Sequence, residues 1–248
     1  MAHHRATRAE INLKAFKHNL QNLKTVLGSK TDIMAVIKAD AYGHGALPCA
    51  KAAIESGVGY LGAGVIEEGI ELRKNGIKGP VLILGGIFTD EVTDLVHHNL
   101  STILHTSHLA EALSKEGKKQ GKTVNIHIKV DTGMNRLGGL PENLLALTEK
   151  ISSLPNLKIE ALSTHFSSSD DEDLTITNQQ IELFKKASKV QKKRIKTRPS
   201  LSAKKKRLDS KRKQSEKTSI CKNKKLLFCW RSCFNTYRHN SLFNAIFN

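Results

Sequence analysis

Six times between residues 32 and 190 a short apolar run gives way to a helix-like stretch, and nothing else in the chain limits the fold so strongly. "DIMAVIKA" (32–39) precedes "GALPCAKAAIESG", and "GYLGAGV" (59–65) precedes "IEEGIELRKNG". "PVLILGG" (80–86), "STILHT" (101–106), "VNIHIKV" (124–130) and "LKIEALSTHF" (157–166) each lead into a further amphipathic segment. Continuous apolar runs of this length are what strands need when helices cover both faces of a parallel sheet. A helix over 12–28 precedes the series. It carries Leu13, Phe16, Leu20, Leu23 and Leu27 at helical spacing, with Asn12 as N-cap and Gly28 as stop.

The class is therefore α/β, and two architectures accommodate it: a doubly wound sheet, or a (β/α)8 TIM barrel two units short. The first glycine-rich loop does not open as G-x-G-x-x-G, so the dinucleotide fingerprint is missing. Polar residues gather instead where strands end: Lys38, Lys129 with Arg136, and His165. In a barrel those ends share one face, where such folds place their chemistry. A partial TIM barrel of about six βα units is the expected fold.

Charge divides the chain. The formal total is +17, yet residues 185–248 hold 21 Lys/Arg against Asp209 and Glu216, while residues 1–184 hold 19 Lys/Arg and 21 Asp/Glu. The body is mildly acidic and the tail carries the whole excess. Beyond about residue 190 neither a strand nor a helix period continues, which sets the expected boundary between a 1–190 barrel unit and a basic, irregular 191–248 tail. Cys49 stands alone in the body, which suits a reducing compartment. Cys221, Cys229 and Cys233 are spaced C-x7-C and C-x3-C, unlike a zinc pair, and no metal site is expected. "MAHHRATRAE" lacks an apolar signal core, and no run approaches the roughly 18 apolar residues of a membrane span, so the cytoplasm is the expected compartment.

Lys38 has two readings. It could snorkel from a strand end into water. Alternatively, an apolar strand end could favour its neutral amine, the form that condenses with an aldehyde cofactor. Gly43 and Gly45 would then let backbone approach a bulky ligand, and Tyr42 offers a hydroxyl. "AVIKADAYGHG" (35–45) resembles the pyridoxal-phosphate lysine motif of the alanine racemases. "HIKVDTGMNRLG" (127–138) and "STHFSSSD" (163–170) resemble that family's strand-five and strand-six segments, in the same order.

The resemblance spans about residues 5–190 and implies the rest. Lys38 would bind pyridoxal 5'-phosphate as a Schiff base and act as one of two catalytic bases. Tyr42 would lie near the cofactor phosphate, His165 against its ring, and Val36 and Leu84 as apolar neighbours. Val36 and Leu84 read equally well as plain barrel core. Arg136 would hold the substrate carboxylate, and Lys129 matches a position that is carbamylated in some members. The implied reaction is the interconversion of L- and D-alanine, which supplies D-alanine for the cell wall. In the family a tyrosine from the partner subunit's C-terminal β-domain serves the second face, so a homodimer is implied.

That β-domain and the later barrel segments find no match here, and the departure near Gln191 is abrupt. Tyr237, in "CFNTYRHN", does not fit the second base. A frame shift near that codon, with an out-of-frame tail, would account for a Lys-, Asn- and Phe-rich ending; little activity and aggregation-prone open edges would result. Two alternatives come from other classes. One is a non-catalytic pyridoxal-phosphate homeostasis protein of the same barrel type, although such proteins usually lack "ADAYGHG". The other is nonspecific nucleic-acid binding by the tail through counterion release. Smaller features have local readings. "HH" at 97–98 caps a helix C-terminus, "SSSDDED" (167–173) after the sixth strand caps the helix that follows it, and Met134 and Asn135 shape the loop that presents Arg136. His44, His105 and His127 show no ligand spacing.

Overall fold

The computed structural model describes residues 9–194, with side chains to residue 189. The basic tail, its three cysteines and Tyr237 lie outside the described residues. Helix α1 (Leu13–Leu27) starts where Asn12 Oδ1 accepts the Ala15 N–H at 3.0 Å, and it stops at Gly28, whose φ of 69° suits glycine. Phe16, Leu20 and Leu23 are its buried stripe.

Six strands come next: β1 (Met34–Val36), β2 (Tyr60–Ala63), β3 (Val81–Ile83), β4 (Ser101–Leu104), β5 (Val124–Lys129) and β6 (Leu157–Ser163). They form one parallel sheet in the order β1-β2-β3-β4-β5-β6. A doubly wound sheet reverses its strand order at a switch point. This one never does, which decides between the two expected architectures in favour of the barrel type. Among the described residues β1 and β6 each pair on one side only.

The connecting elements are α2 (Lys38–Gly43), α3 (Ala46–Glu55), α4 (Ile66–Lys74), α5 (Val92–His97), α6 (Ser107–Lys119), α7 (Leu144–Ser153) and α8 (Thr175–Arg194). Packing follows the two faces of the sheet. Ala35, Val81, Ile83, Leu104, Ile126 and Ile128 join the helices in one large apolar layer. Met34, Leu82 and Ile103 form a smaller inner cluster, with Tyr60, Leu84 and Leu137 packed against it. Alternate residues of a strand thus serve opposite layers, as the period of two requires. β6 departs from the expected buried run: only Ala161 is buried, and the strand is otherwise half-buried or exposed.

The local capping expectations hold. α5 ends at His97 with His98 as its cap, and Asp173 Oδ1 accepts from the Thr175 N–H at 2.9 Å where α8 begins. Among the described residues no helix is long and apolar enough to cross a membrane.

Inside the sheet, His127 is fully buried and meets Tyr60 edge-on, with ring centroids 5.4 Å apart. The Tyr60 hydroxyl donates to Glu160, and His127 Nε2 stands 3.8 Å from the same carboxylate. His127, then Tyr60 and Lys158, hold the Glu160 carboxyl down to about 2, well below its usual 4.5, although partial burial works against them. Burial, reinforced by Glu160, pushes the Tyr60 phenol above its ordinary range. A depressed carboxyl contributes stability above pH 4.5 and loses it as pH falls towards 2. Solvent screening of the partly exposed carboxyl cuts that difference to about 1–2 kcal/mol. Urea unfolding at pH 6 and pH 2.5 checks this: the expected loss over that window is smaller in Glu160→Gln than in the parent chain.

Candidate active site

Because every strand runs the same way, all C-terminal strand ends open on one face. Lys38, Leu84, Lys129, Arg136 and His165 all stand at or just beyond those ends, and Val36 is the last residue of β1. The face collects them from β1, β3, β5 and β6. Val36, Leu84, Lys129 and His165 are half-buried; Lys38 and Arg136 are exposed.

Lys38 differs from the sequence expectation. It does not end a buried strand: β1 stops at Val36, and Lys38 begins α2 with its side chain exposed. The next four residues are unusual in another way. Ala39, Asp40, Ala41 and Tyr42 have φ between 50° and 57° and ψ between 39° and 53°, so α2 is a left-handed turn built without glycine at those positions. Each such L-residue costs roughly 1–2 kcal/mol relative to the right-handed form. Strain of this kind persists where the surroundings over-determine it, and it clusters at functional sites.

The turn is held from several sides. The Ala41 N–H donates to Ile37 O at 2.9 Å, and the Gly45 N–H to Asp40 O at 2.9 Å. Asp40 Oδ1 accepts from the Ala46 N–H at 2.6 Å, where α3 begins. His44 Nδ1 lies 2.9 Å from Ala41 O and 3.1 Å from Tyr42 O; carbonyls only accept, so Nδ1 carries the proton. Glu68, on the first turn of α4, accepts from the Ala39 N–H and the Gly64 N–H, both at 2.6 Å. As a result the Lys38 amine stands 5.8 Å from the centre of the Tyr42 ring.

Arg136 sits on a loop tied back on itself. Asp131 Oδ1 accepts from the Gly133 and Asn135 N–H groups at 2.8 and 3.2 Å, and Asn135 takes a φ of 56°. The Gly139 N–H returns to Lys129 O at 2.9 Å, and Leu137 packs on the inner apolar cluster. Asn135 thus shapes the loop as expected; its amide is part of the fold-back. The His165 segment is fixed by Gln180 of α8, which is only 2% exposed. Gln180 Nε2 donates to His165 O at 3.2 Å and to Thr132 Oγ1 at 3.3 Å, and its Oε1 accepts from the Ser167 N–H at 2.9 Å. One buried amide therefore joins the Arg136 loop to the His165 loop. Neither Glu68 nor Gln180 stood out in the sequence. The bond from Ala39 reaches Glu68 across 29 residues, and the partners of Gln180 lie 13 to 48 residues away, separations that no local pattern marks.

The donor set suits an aldehyde-bearing, anionic aromatic cofactor: a primary amine just beyond a strand end, a tyrosine beside it, and an arginine and a histidine on the same face. Fold and site together define a barrel-type protein that gathers a lysine, an arginine and a histidine on its C-terminal strand face. Comparison with known proteins narrows this. The family profile described as alanine racemase, N-terminal domain, matches residues 11–204, and the chain belongs to that family. It is 40% identical over 181 residues to an alanine racemase of Halothermothrix orenii, covering 73% of this chain and 48% of that protein. An alanine racemase of Carboxydothermus hydrogenoformans is 42% identical over 176 residues, with 71% and 47% covered. Among solved structures, alanine racemase of Clostridium difficile 630 in complex with cycloserine superposes with a TM-score of 0.74 at 33% identity. It covers 77% of this chain and 53% of that one. The chain spans about half the length of the curated relatives it matches.

Proposed function

We propose that this chain binds pyridoxal 5'-phosphate on Lys38 and works in the cytoplasmic interconversion of L- and D-alanine. The observation that carries the reading is Lys38 itself, held beside Tyr42 by a strained turn at the open end of β1. Family membership and relatives named alanine racemase support it. When bound, the cofactor supplies an electron sink for charge developing at the substrate α-carbon.

The chain's own residues serve one face of the substrate. The Lys38 amine holds the cofactor aldehyde and, once released, moves a proton at the α-carbon on one face. The Arg136 guanidinium matches a substrate carboxylate in charge and shape. Tyr42 offers its hydroxyl to the phosphate, His165 an aromatic neighbour, and Val36 and Leu84 apolar contact. Lys129, at the end of β5 on the strand that leads into the Arg136 loop, is placed to support that arginine, and carbamylation would give it the negative charge to do so. The opposite face of the α-carbon is left to a second subunit.

Titrating pyridoxal 5'-phosphate into the purified 248-residue chain tests the reading. An absorbance band near the visible edge that vanishes on borohydride reduction, with the cofactor then fixed on the Lys38 peptide, is the expected result. A cofactor fixed on scattered surface lysines, with Lys38 unmodified, would overturn it.

A further inference from the structure

We infer that Glu68 is a positioning residue, whose carboxylate clamps the backbone on both sides of Lys38 and so fixes where the lysine amine stands. The inference rests on reading Lys38 as the cofactor lysine. Glu68 Oε1 accepts from the Ala39 N–H and Oε2 from the Gly64 N–H, both at 2.6 Å. Ala39 is the next residue after Lys38 in the chain. Gly64 lies just beyond β2, so close that a Cβ added to it would meet Lys38 Cβ at 3.2 Å. One carboxylate on a helix therefore spans the base of the Lys38 side chain.

The second observation is the strain in the turn. Ala39 is the first of four residues with positive φ, so its amide sits where the chain changes hand. As the first amides of a helical turn lack partners inside it, Ala39 depends on an external acceptor. Glu68 is that acceptor. Without it, the turn keeps its later bonds from Ala41 and Gly45 and the bond from the Ile37 N–H to Gly62 O of β2, but loses the one that ties the residue after Lys38 to α4. A charged acceptor makes stronger bonds to backbone amides than a neutral one. A glutamine, with one acceptor oxygen, can satisfy only one of the two amides in this two-oxygen geometry.

The experiment compares the full chain with Glu68→Ala and Glu68→Gln. Three quantities are read: amide hydrogen exchange at Ala39 and Gly64 without cofactor, the rate of borohydride-trapped capture of pyridoxal 5'-phosphate on Lys38 across pH 6–9, and thermal unfolding. For Glu68→Ala the expected results are exchange at both amides faster by about tenfold and capture on Lys38 slower by a similar factor. Glu68→Gln should fall between the two. Melting should change by only about 2 °C, since Glu68 is half-buried and lies outside the apolar core. Capture at the parent rate, with the two amides exposed, would overturn the inference. So would a uniform loss of protection across β2 and α4 together with a large drop in melting temperature, which would mark Glu68 as merely structural. If Glu68→Ala does not fold, Glu68→Gln carries the same comparison. If the parent chain captures no pyridoxal 5'-phosphate on Lys38, the reading of the site fails; amide exchange and the rate of reductive methylation of Lys38 by formaldehyde still decide the clamp.

Discussion

Lys38→Ala abolishes borohydride-fixed pyridoxal 5'-phosphate at position 38 and leaves the chain folded, with unfolding free energy within about 0.5 kcal/mol of the parent. The two halves of this result have separate causes. Capture is lost because only an uncharged primary amine can condense with the cofactor aldehyde, and alanine has none. Stability is kept because the Lys38 side chain is exposed, and its cation–ring approach to Tyr42 is worth little at an open site. Lys38→Arg separates amine from charge: it keeps the charge and still captures nothing, because a guanidinium stays protonated. Denaturant titration, alongside peptide mapping after reduction, reads both halves.

Arg73→Ala acts the other way, with a large loss of stability and no direct effect on the site. Arg73 lies in the last turn of α4, at the end of the sheet opposite Lys38. Its Nε donates to His98 O at 2.9 Å, Nη1 to Ile77 O and Gly79 O at 2.8 Å each, and Nη2 to Asn99 O at 2.9 Å. It thus ties together the segments entering β3 and β4. Burial lowers its pKa somewhat below that of a free arginine. Truncation strips four carbonyls of a charged donor, and we expect a loss of about 3–5 kcal/mol in urea unfolding. Arg73→Lys should recover only a minor share, because a single ammonium cannot reproduce a planar fork directed at four oxygens. Equal stability of Arg73→Lys and the parent would show that charge alone, and not the fork, holds these segments.

Much of the framework was legible because its signals are local. Asn12, Gly28 and the Phe16–Leu20–Leu23 stripe announce α1 by capping and period. The six units are visible as apolar runs that both layers of the sheet use. That Lys38, Arg136 and His165 share a face was legible too, because parallel strands necessarily open their ends together. The surroundings of Lys38 were not. Its neighbours Ala39, Asp40, Ala41 and Tyr42 are ordinary L-residues, and nothing in their identities signals four positive φ values in succession. Burial does not explain Lys38, because the strand ends before it: the lysine is exposed, and its place is set by backbone geometry rather than by an apolar wall. Glu68 and Gln180 escaped for the opposite reason. Ala39 for Glu68, and Thr132 and His165 for Gln180, are remote in sequence, and a lone glutamate or glutamine in a helix looks like solvated surface until the fold brings those partners together. β6 shows a third limit. An apolar strand pattern does not guarantee burial where the strand pairs on one side only among the described residues.

If Lys38, with its cofactor, moves the α-proton of alanine, that proton exchanges with solvent. Proton NMR of alanine in deuterium oxide reads the exchange, with the 248-residue chain loaded with pyridoxal 5'-phosphate. The α-proton signal should decay in the presence of the parent chain and persist with Lys38→Ala at the same cofactor concentration. Equal decay rates for the two proteins would show that Lys38 does not move the proton.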